Sequence, residues 1–277
     1  MSFTMPPTGF GPGSQPGPED GVELNYMAMP SGMRTFEARL PDIDDPAAAR
    51  PMLDFLLRLA KAAEAAASGH RSAMFDVASL NPFNRALLAE TLHEGEVSVV
   101  VEGQRPAKIQ EAVFAGLWLT RQDSSETVEV GAVPLALHDR AHEPVAAAQG
   151  LSTPHEDGVM SAPALVAELI DKAVAHQAGM PAHVINLTLL PHTPQDLVHL
   201  DEALGRGAAS ALSRGYGDCR VSATAVPRLW RVQYFNSVDA LILDTFEVAE
   251  LPSAAIAVAE DLLDSAERLT DTLEAIA

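Results

Sequence analysis

Cysteine is nearly missing from this sequence: Cys219 is the one such residue in 277. A lone thiol excludes an internal disulfide, a four-cysteine iron–sulfur site and a zinc ribbon. Positive charge is also scarce. Lys and Arg number 18 against 38 Asp and Glu, a formal net charge of −20. Such a chain is poorly suited to wrapping nucleic acid or lying on anionic lipid, because both are polyanions. No apolar run approaches eighteen residues, so no membrane-spanning helix is expected. The N-terminus lacks a basic region followed by an apolar core, and it lacks a twin-arginine pair; the expected compartment is the cytoplasm. The sequence has no GxxxxGK[ST], no GxGxxG after a strand, no HExxH, no GxSxG and no CxxC.

What is present begins with a leader rich in Pro and Gly, residues 1–21, which cannot bury enough apolar surface to offset its ordering entropy. Residues 22–44 read as an extended arm or an adaptable docking segment, with Leu24, Tyr26, Met27, Met29, Met33 and Phe36 broken by Pro30 and Gly32. Helices start at Asp45-Pro46, Asn81-Pro82, Ser161 with Pro163, and Thr193-Pro194, where a capping side chain precedes Pro in the first turn. Apolar spacing predicts helices over about 46–68, 162–178 and 258–275, the last with an acidic outer face. Strands are expected at 73–78, 96–101, 109–120, 127–133, 184–190, 219–226, 230–235 and 240–248.

These elements suggest an internal duplication. Asn81-Pro82 and Thr193-Pro194 lie 112 residues apart, as do LAETLHEG and LDEALGRG, and the two tryptophans, Trp118 and Trp230. Beyond the tryptophans the offset is 118, matching TVEVGAVP to TFEVAELP. The second copy therefore holds six more residues, expected in a longer hairpin. The expected fold is α+β: two pseudo-symmetric helix-strand-helix-meander repeats, 45–134 and 161–252, each ending in a three-stranded antiparallel meander backed by helices. Residues 135–160 read as a mobile link, and 253–277 as an acidic C-terminal helix.

Three places carry candidate chemistry. RGYGDCR, Arg214–Arg220, sets Cys219 between Asp218 and Arg220. A nearby guanidinium favours a thiolate and a carboxylate opposes it, so the thiol is either reactive or a small buried hydrophobe. The second is a charge anomaly. Between Gly205 and Phe235 stand Arg206, Arg214, Arg220, Arg228 and Arg231 against Asp218 alone, interleaved with Tyr216, Trp230 and Tyr234. Arginine with aromatic residues suits a partner interface. The competing reading is an internal counter-surface for the acidic C-terminal helix. The third is His138 and His142, at i, i+4, conceivable as metal ligands. Subtracting 112 maps Cys219 to Ala107 and Tyr216 to Gln104, so the Gly–Tyr–Gly–Cys–Arg feature is not needed to build the unit.

RGYGDCR, LWRVQYFNS (Leu229–Ser237), LILDTFEVAELP (Leu241–Pro252) and NLTLLPHTPQDL (Asn186–Leu197), with LNYMAMPSGMRTF (Leu24–Phe36), LHEGEV and GLWL, resemble the hydrogenase expression/formation proteins of the HupH/HyaF type over residues 22–277. The resemblance implies a non-enzymatic, chaperone-like accessory factor in nickel–iron hydrogenase maturation, without a cofactor. It implies binding of the iron–sulfur small-subunit precursor, beside a thioredoxin-like accessory protein, especially in oxygen. A homodimer is a further expectation. The partner-binding residues expected from the anomaly are Arg214, Tyr216, Cys219, Arg220, Trp230 and Arg231. The alternative is a thiol-dependent redox or iron-handling factor of the same pathway using Cys219.

Overall fold

The computed structural model describes residue 43 and residues 45–276 apart from Tyr216. The leader 1–21 and nearly all of the arm 22–44 lie outside the described residues. Helix α1 (Pro46–Ala67) starts where Asp45 accepts the Ala47 and Ala48 N–H groups. Its apolar stripe buries Met52, Phe55, Leu56, Leu59 and Ala63. After strand β1 (Ala73–Asp76), Asn81 caps α2 (Pro82–Leu92) by accepting the Asn84 N–H at 2.9 Å. A meander follows: β2 (Val97–Val101), β3 (Ala107–Glu111), β4 (Leu117–Gln122) and β5 (Ser125–Val130). Next come α3 (Leu135–Arg140) and β6 (Pro144–Ala146), then α4 (Ala162–Ala175), β7 (His183–Asn186), α5 (Pro194–Leu204) and β8 (Arg206–Gly207). A second meander, β9 (Ala209–Gly215), β10 (Gly217–Ala223), β11 (Leu229–Phe235) and β12 (Leu241–Val248), leads to α6 (Ala259–Ile276).

Ten of these strands form one antiparallel sheet in the order β1-β5-β4-β3-β2-β9-β10-β11-β12-β7. Outward from the β2–β9 junction the strands run β2, β3, β4, β5, β1 on one side and β9, β10, β11, β12, β7 on the other. The junction pairs Val97 with Ser213, Val99 with Ala211 and Val101 with Ala209. Each meander has four strands, not three. The run 109–120, expected as one strand, is two: the chain turns at 112–116, where Gly116 takes φ +78°, a conformation open to glycine. Strand β9, ASALSRG, was not expected, because Ala, Ser and Gly have little strand propensity. The β4–β5 hairpin closes tightly between Gln122 and Ser125, whereas β11–β12 closes through residues 236–240.

Side chains alternate across the sheet. One face carries the long helices. Helices α1, α2 and α6 pack there on Leu117, Val128 and Val130, and α4 with α5 on Ile185, Leu229, Phe246 and Val248. The other face buries Val99, Val101, Ile109, Ala211, Val221, Val232 and both tryptophans under Leu137 and Ala141. The segment 135–160, expected as a mobile link, therefore supplies α3 as a cover for the sheet. Helix α6 docks on α1 and on the turn before β4: Leu262 crowds Gly116, Ser265 Oγ donates to the Ala115 carbonyl at 3.0 Å, and Arg268 stands over Phe114.

Candidate partner-binding surface

Alternation divides the expected site between the two sheet faces. Arg214, Arg220 and Arg231 project from β9, β10 and β11 on the helix-bearing face. Cys219 and Trp230 occupy the opposite face, inside the core. Tyr216 lies outside the described residues. As a surface residue Trp230 is therefore a correction: it is 1% exposed, its indole N–H donates to the Ala249 carbonyl at 3.1 Å, and its ring meets His142 edge-on.

His142 is committed to the fold in the same way. Its Nε2 accepts the Arg228 N–H at 3.0 Å, so Nδ1 carries the proton and donates to the Thr224 carbonyl at 2.9 Å. Burial lowers its pKa. Both ring nitrogens are used, which removes the reading of His138 and His142 as a ligand pair; His138 instead pairs with Asp139.

Cys219 is buried opposite Tyr234 in the β10–β11 register. The charged neighbours on its own strand, Asp218 and Arg220, project from the other face. Burial pushes the thiol pKa up, the Tyr234 hydrogen bond works against that, and Glu247 adds to it. Burial and the same thiol push Tyr234 up to about 12. The group rests as a neutral thiol, the opposite of an activated nucleophile.

The helix-bearing face is different. Arg231 makes a two-pronged contact with Asp244, Nε–Oδ1 at 3.0 Å and Nη2–Oδ2 at 2.7 Å, and reaches Asp201 of α5 at 3.0 Å. Its guanidinium lies over the Phe246 ring. Arg206 pairs with Glu102 at 2.9 Å and Arg228 with Glu250 at 3.3 Å. None of these acids belongs to α6, so the basic segment is not a counter-surface for the acidic helix. Arg220 is exposed over the Phe235 ring at 5.5 Å, and Arg214 is exposed at the end of β9. Between α5, residues 146–149 and strands β10 and β11 opens a cleft of about 600 Å³, with Arg220, Ser222, Arg231 and Gln233 on its floor and Asp201 and Glu202 on its wall.

Two residues of this face escaped sequence reading. Asp244 sits in an apolar strand; its alternation with Phe246 and Val248 was the available signal. Lys108 is exposed on β3 and stands opposite Val100 of β2 and Arg121 of β4. The expected strand 109–120 begins one residue after it.

Comparison with known proteins places the chain. The conserved C-terminal region of HupH hydrogenase expression proteins matches residues 159–276. The hydrogenase expression/formation protein HupH of Rhodobacter capsulatus is 53% identical over 275 residues, 99% of this chain and 98% of its own length. HoxQ of Cupriavidus necator, with the same description, is 43% identical over 279 residues, 99% of this chain and 98% of its own. The hydrogenase-1 operon protein HyaF of Escherichia coli is 32% identical over 209 residues, 73% of each chain. The chain belongs to the family of hydrogenase expression/formation proteins that includes HupH, HoxQ and HyaF.

Proposed function

We propose that this protein is a non-enzymatic accessory factor in nickel–iron hydrogenase maturation. In this reading it binds the precursor of the iron–sulfur small subunit in the cytoplasm, beside a thioredoxin-like accessory protein, and assists its assembly in the presence of oxygen. The observation that carries the reading is the 53% identity to a hydrogenase expression/formation protein along nearly the whole chain. The arginine cluster on the helix-bearing face supports the choice of surface, with Arg214 and Arg220 exposed and Arg231 at the floor of the cleft. We also infer that residues 45–134 and 161–252 are two copies of one unit. The matching strand order on either side of the β2–β9 junction supports that inference, as do the two capped, Pro-started helices α2 and α5.

The test is co-purification of the tagged full chain from microaerobic cells that make the hydrogenase. The small-subunit precursor is expected in the eluate, and deletion of the gene is expected to lower hydrogenase maturation in oxygen. An eluate without small subunit, together with unchanged maturation in the deletion strain, refutes the proposal.

A further inference from the structure

Among the described residues, the helix layer has a gap. Its helices draw on the outer strands: β4, β5 and β1 on one side, and β11, β12 and β7 on the other. Among the described residues, the inner four strands, β3, β2, β9 and β10, contribute no side chain to either helix core. On the helix-bearing face they present Ser98, Val100, Lys108, Gln110, Ser210 and Leu212, then Arg214, Asp218, Arg220 and Ser222. Val100 is 45% exposed, Ser210 is exposed and Leu212 is half-buried. The far face of the same strands is packed with Val99, Val101, Ile109, Ala211 and Val221. Four strands at the usual spacing span about 14 Å between outer axes, and an α-helix with side chains is about 10–12 Å across. The gap has the width of one helix.

Its charge is the second observation. Arginines on its banks are neutralised within the chain: Arg121 by Glu126 at 2.9 Å, Arg206 by Glu102, and Arg231 by Asp244 and Asp201. Lys108, Arg214 and Arg220 on the floor have no ion pair among the described residues; the acids beside them are Asp218, opposite Arg214 in the β9–β10 register, Glu96, whose carbonyl accepts the Arg214 N–H, and Glu102, which lines a cavity with Lys108 and is already paired with Arg206. Three unpaired cations share one strip in a chain with twenty more acids than bases. The small serines keep the floor low, and Val100 with Leu212 supply an apolar seat. An extended peptide gains little here, because β2 and β9 are already hydrogen-bonded on both sides. A helix arrives with its backbone satisfied and needs only side-chain contacts.

We propose that this strip docks an acidic amphipathic helix of a partner protein, its carboxylates meeting Lys108, Arg214 and Arg220 and its apolar stripe meeting Val100 and Leu212. The assignment rests on reading this face as the partner-binding surface. Its test uses the full chain and a fluorescein-labelled helical peptide of Glu, Leu and Ala, with a Lys-for-Glu counterpart and single-stranded poly(U) as comparisons. The acidic peptide is expected to bind, to weaken as salt rises, and to bind at least tenfold more weakly to K108E/R220E. K108Q/R220Q is expected to fall between the two, which keeps the reading open if charge reversal disturbs folding. Absent binding, equal binding by the variants, or preference for the Lys peptide or poly(U) overturns the proposal. So does a dimer in sedimentation that K108E/R220E splits, since the occupant would then be a second copy. Small subunit that co-purifies equally with wild type and K108E/R220E refutes this surface and spares the maturation role. Peptide binding without any captured small subunit refutes the proposed client and spares the surface.

Discussion

Asn84 and Asp196 hold matching positions in two helices, α2 and α5. Each is the third residue of a Pro-started helix, α2 and α5, and each is fully buried. Their surroundings explain why one is an amide and the other a carboxylate. Asn84 faces α1 beside its internal Pro51. Its side-chain oxygen accepts the Met52 N–H at 3.1 Å and its amide donates to the Ala48 carbonyl at 3.0 Å. Those two backbone groups would pair with each other in an uninterrupted helix, and only a side chain with both a donor and an acceptor can serve both. Asp196 faces the start of α4, where there are only donors. One oxygen accepts the N–H groups of Met160, Ser161 and Ala162 at 2.8–3.0 Å, and the other accepts the Thr193 N–H at 2.9 Å. Burial alone would raise its pKa, but the bonds from Thr193, Ala162 and Met160 outweigh it and hold the carboxyl well below the usual range. The third position of each helix thus takes whichever polar group its neighbours can satisfy.

The largest losses of stability are expected at the tryptophans. Trp118 and Trp230 are both buried, each donating its indole N–H to a carbonyl, Gly131 at 2.8 Å and Ala249 at 3.1 Å. W118A and W230A should each cost about 3–5 kcal/mol in urea unfolding. A loss at one site and not the other would break the equivalence of the halves. D196A comes next, at about 3 kcal/mol, because several charge-assisted bonds disappear and buried N–H groups are left without an acceptor. N84A should cost less, about 2 kcal/mol. The exchanges N84D and D196N should both destabilise, since each presents the wrong polarity; tolerance of either would contradict the explanation given for the pair. Stability supplied by Asp196 is present at neutral pH and is lost as pH falls below about 4, toward its depressed folded value.

The first half adds a titration of opposite sign. Burial pushes Glu111 and Glu129 up to about 7, although each accepts one backbone N–H, from Gly116 and Leu135 respectively, which pulls the other way. Asp261 and Glu96 raise Glu111 further, as Asp139 does Glu129. The folded chain therefore keeps protons that the unfolded chain releases. The stability linked to these two groups is full below the unfolded value of 4.5 and is lost as pH rises through about 7. Stability measured from pH 5 to 8 should decline less in E111Q/E129Q than in wild type, and parallel profiles would contradict the assignment. The smallest effect concerns the second half. Cys219 should react slowly with a thiol reagent at pH 7.5 and rapidly in urea; fast labelling of the folded chain would restore a reactive-thiol role.

How much of this the sequence disclosed follows from the range of each signal. Capping residues followed by Pro are local, and they located α1, α2 and α5 within a residue or two. Alternation of apolar and polar residues is also local, but it was applied to β10 and β11 as a roll of residue types. Assigning their faces would have separated Arg220 and Arg231 from Cys219 and Trp230. Strand β9 lacked a signal because Ala, Ser and Gly have little strand propensity, and its place in the sheet is fixed by a ladder to β2, which lies far away in sequence. The ion pairs of Arg231 with Asp244 and Asp201 join residues 13 and 30 apart, which no short window could connect.

The proposed partner surface is the inner strands of the helix-bearing face, which no described helix covers. The direct measurement is recovery of hydrogenase small subunit by tagged full chain from microaerobic cells, comparing wild type, K108E/R220E and a charge reversal on the far side of α1, R50E/K61E. Wild type and R50E/K61E should retain the small subunit and K108E/R220E should lose it. Equal recovery by all three would contradict the claim.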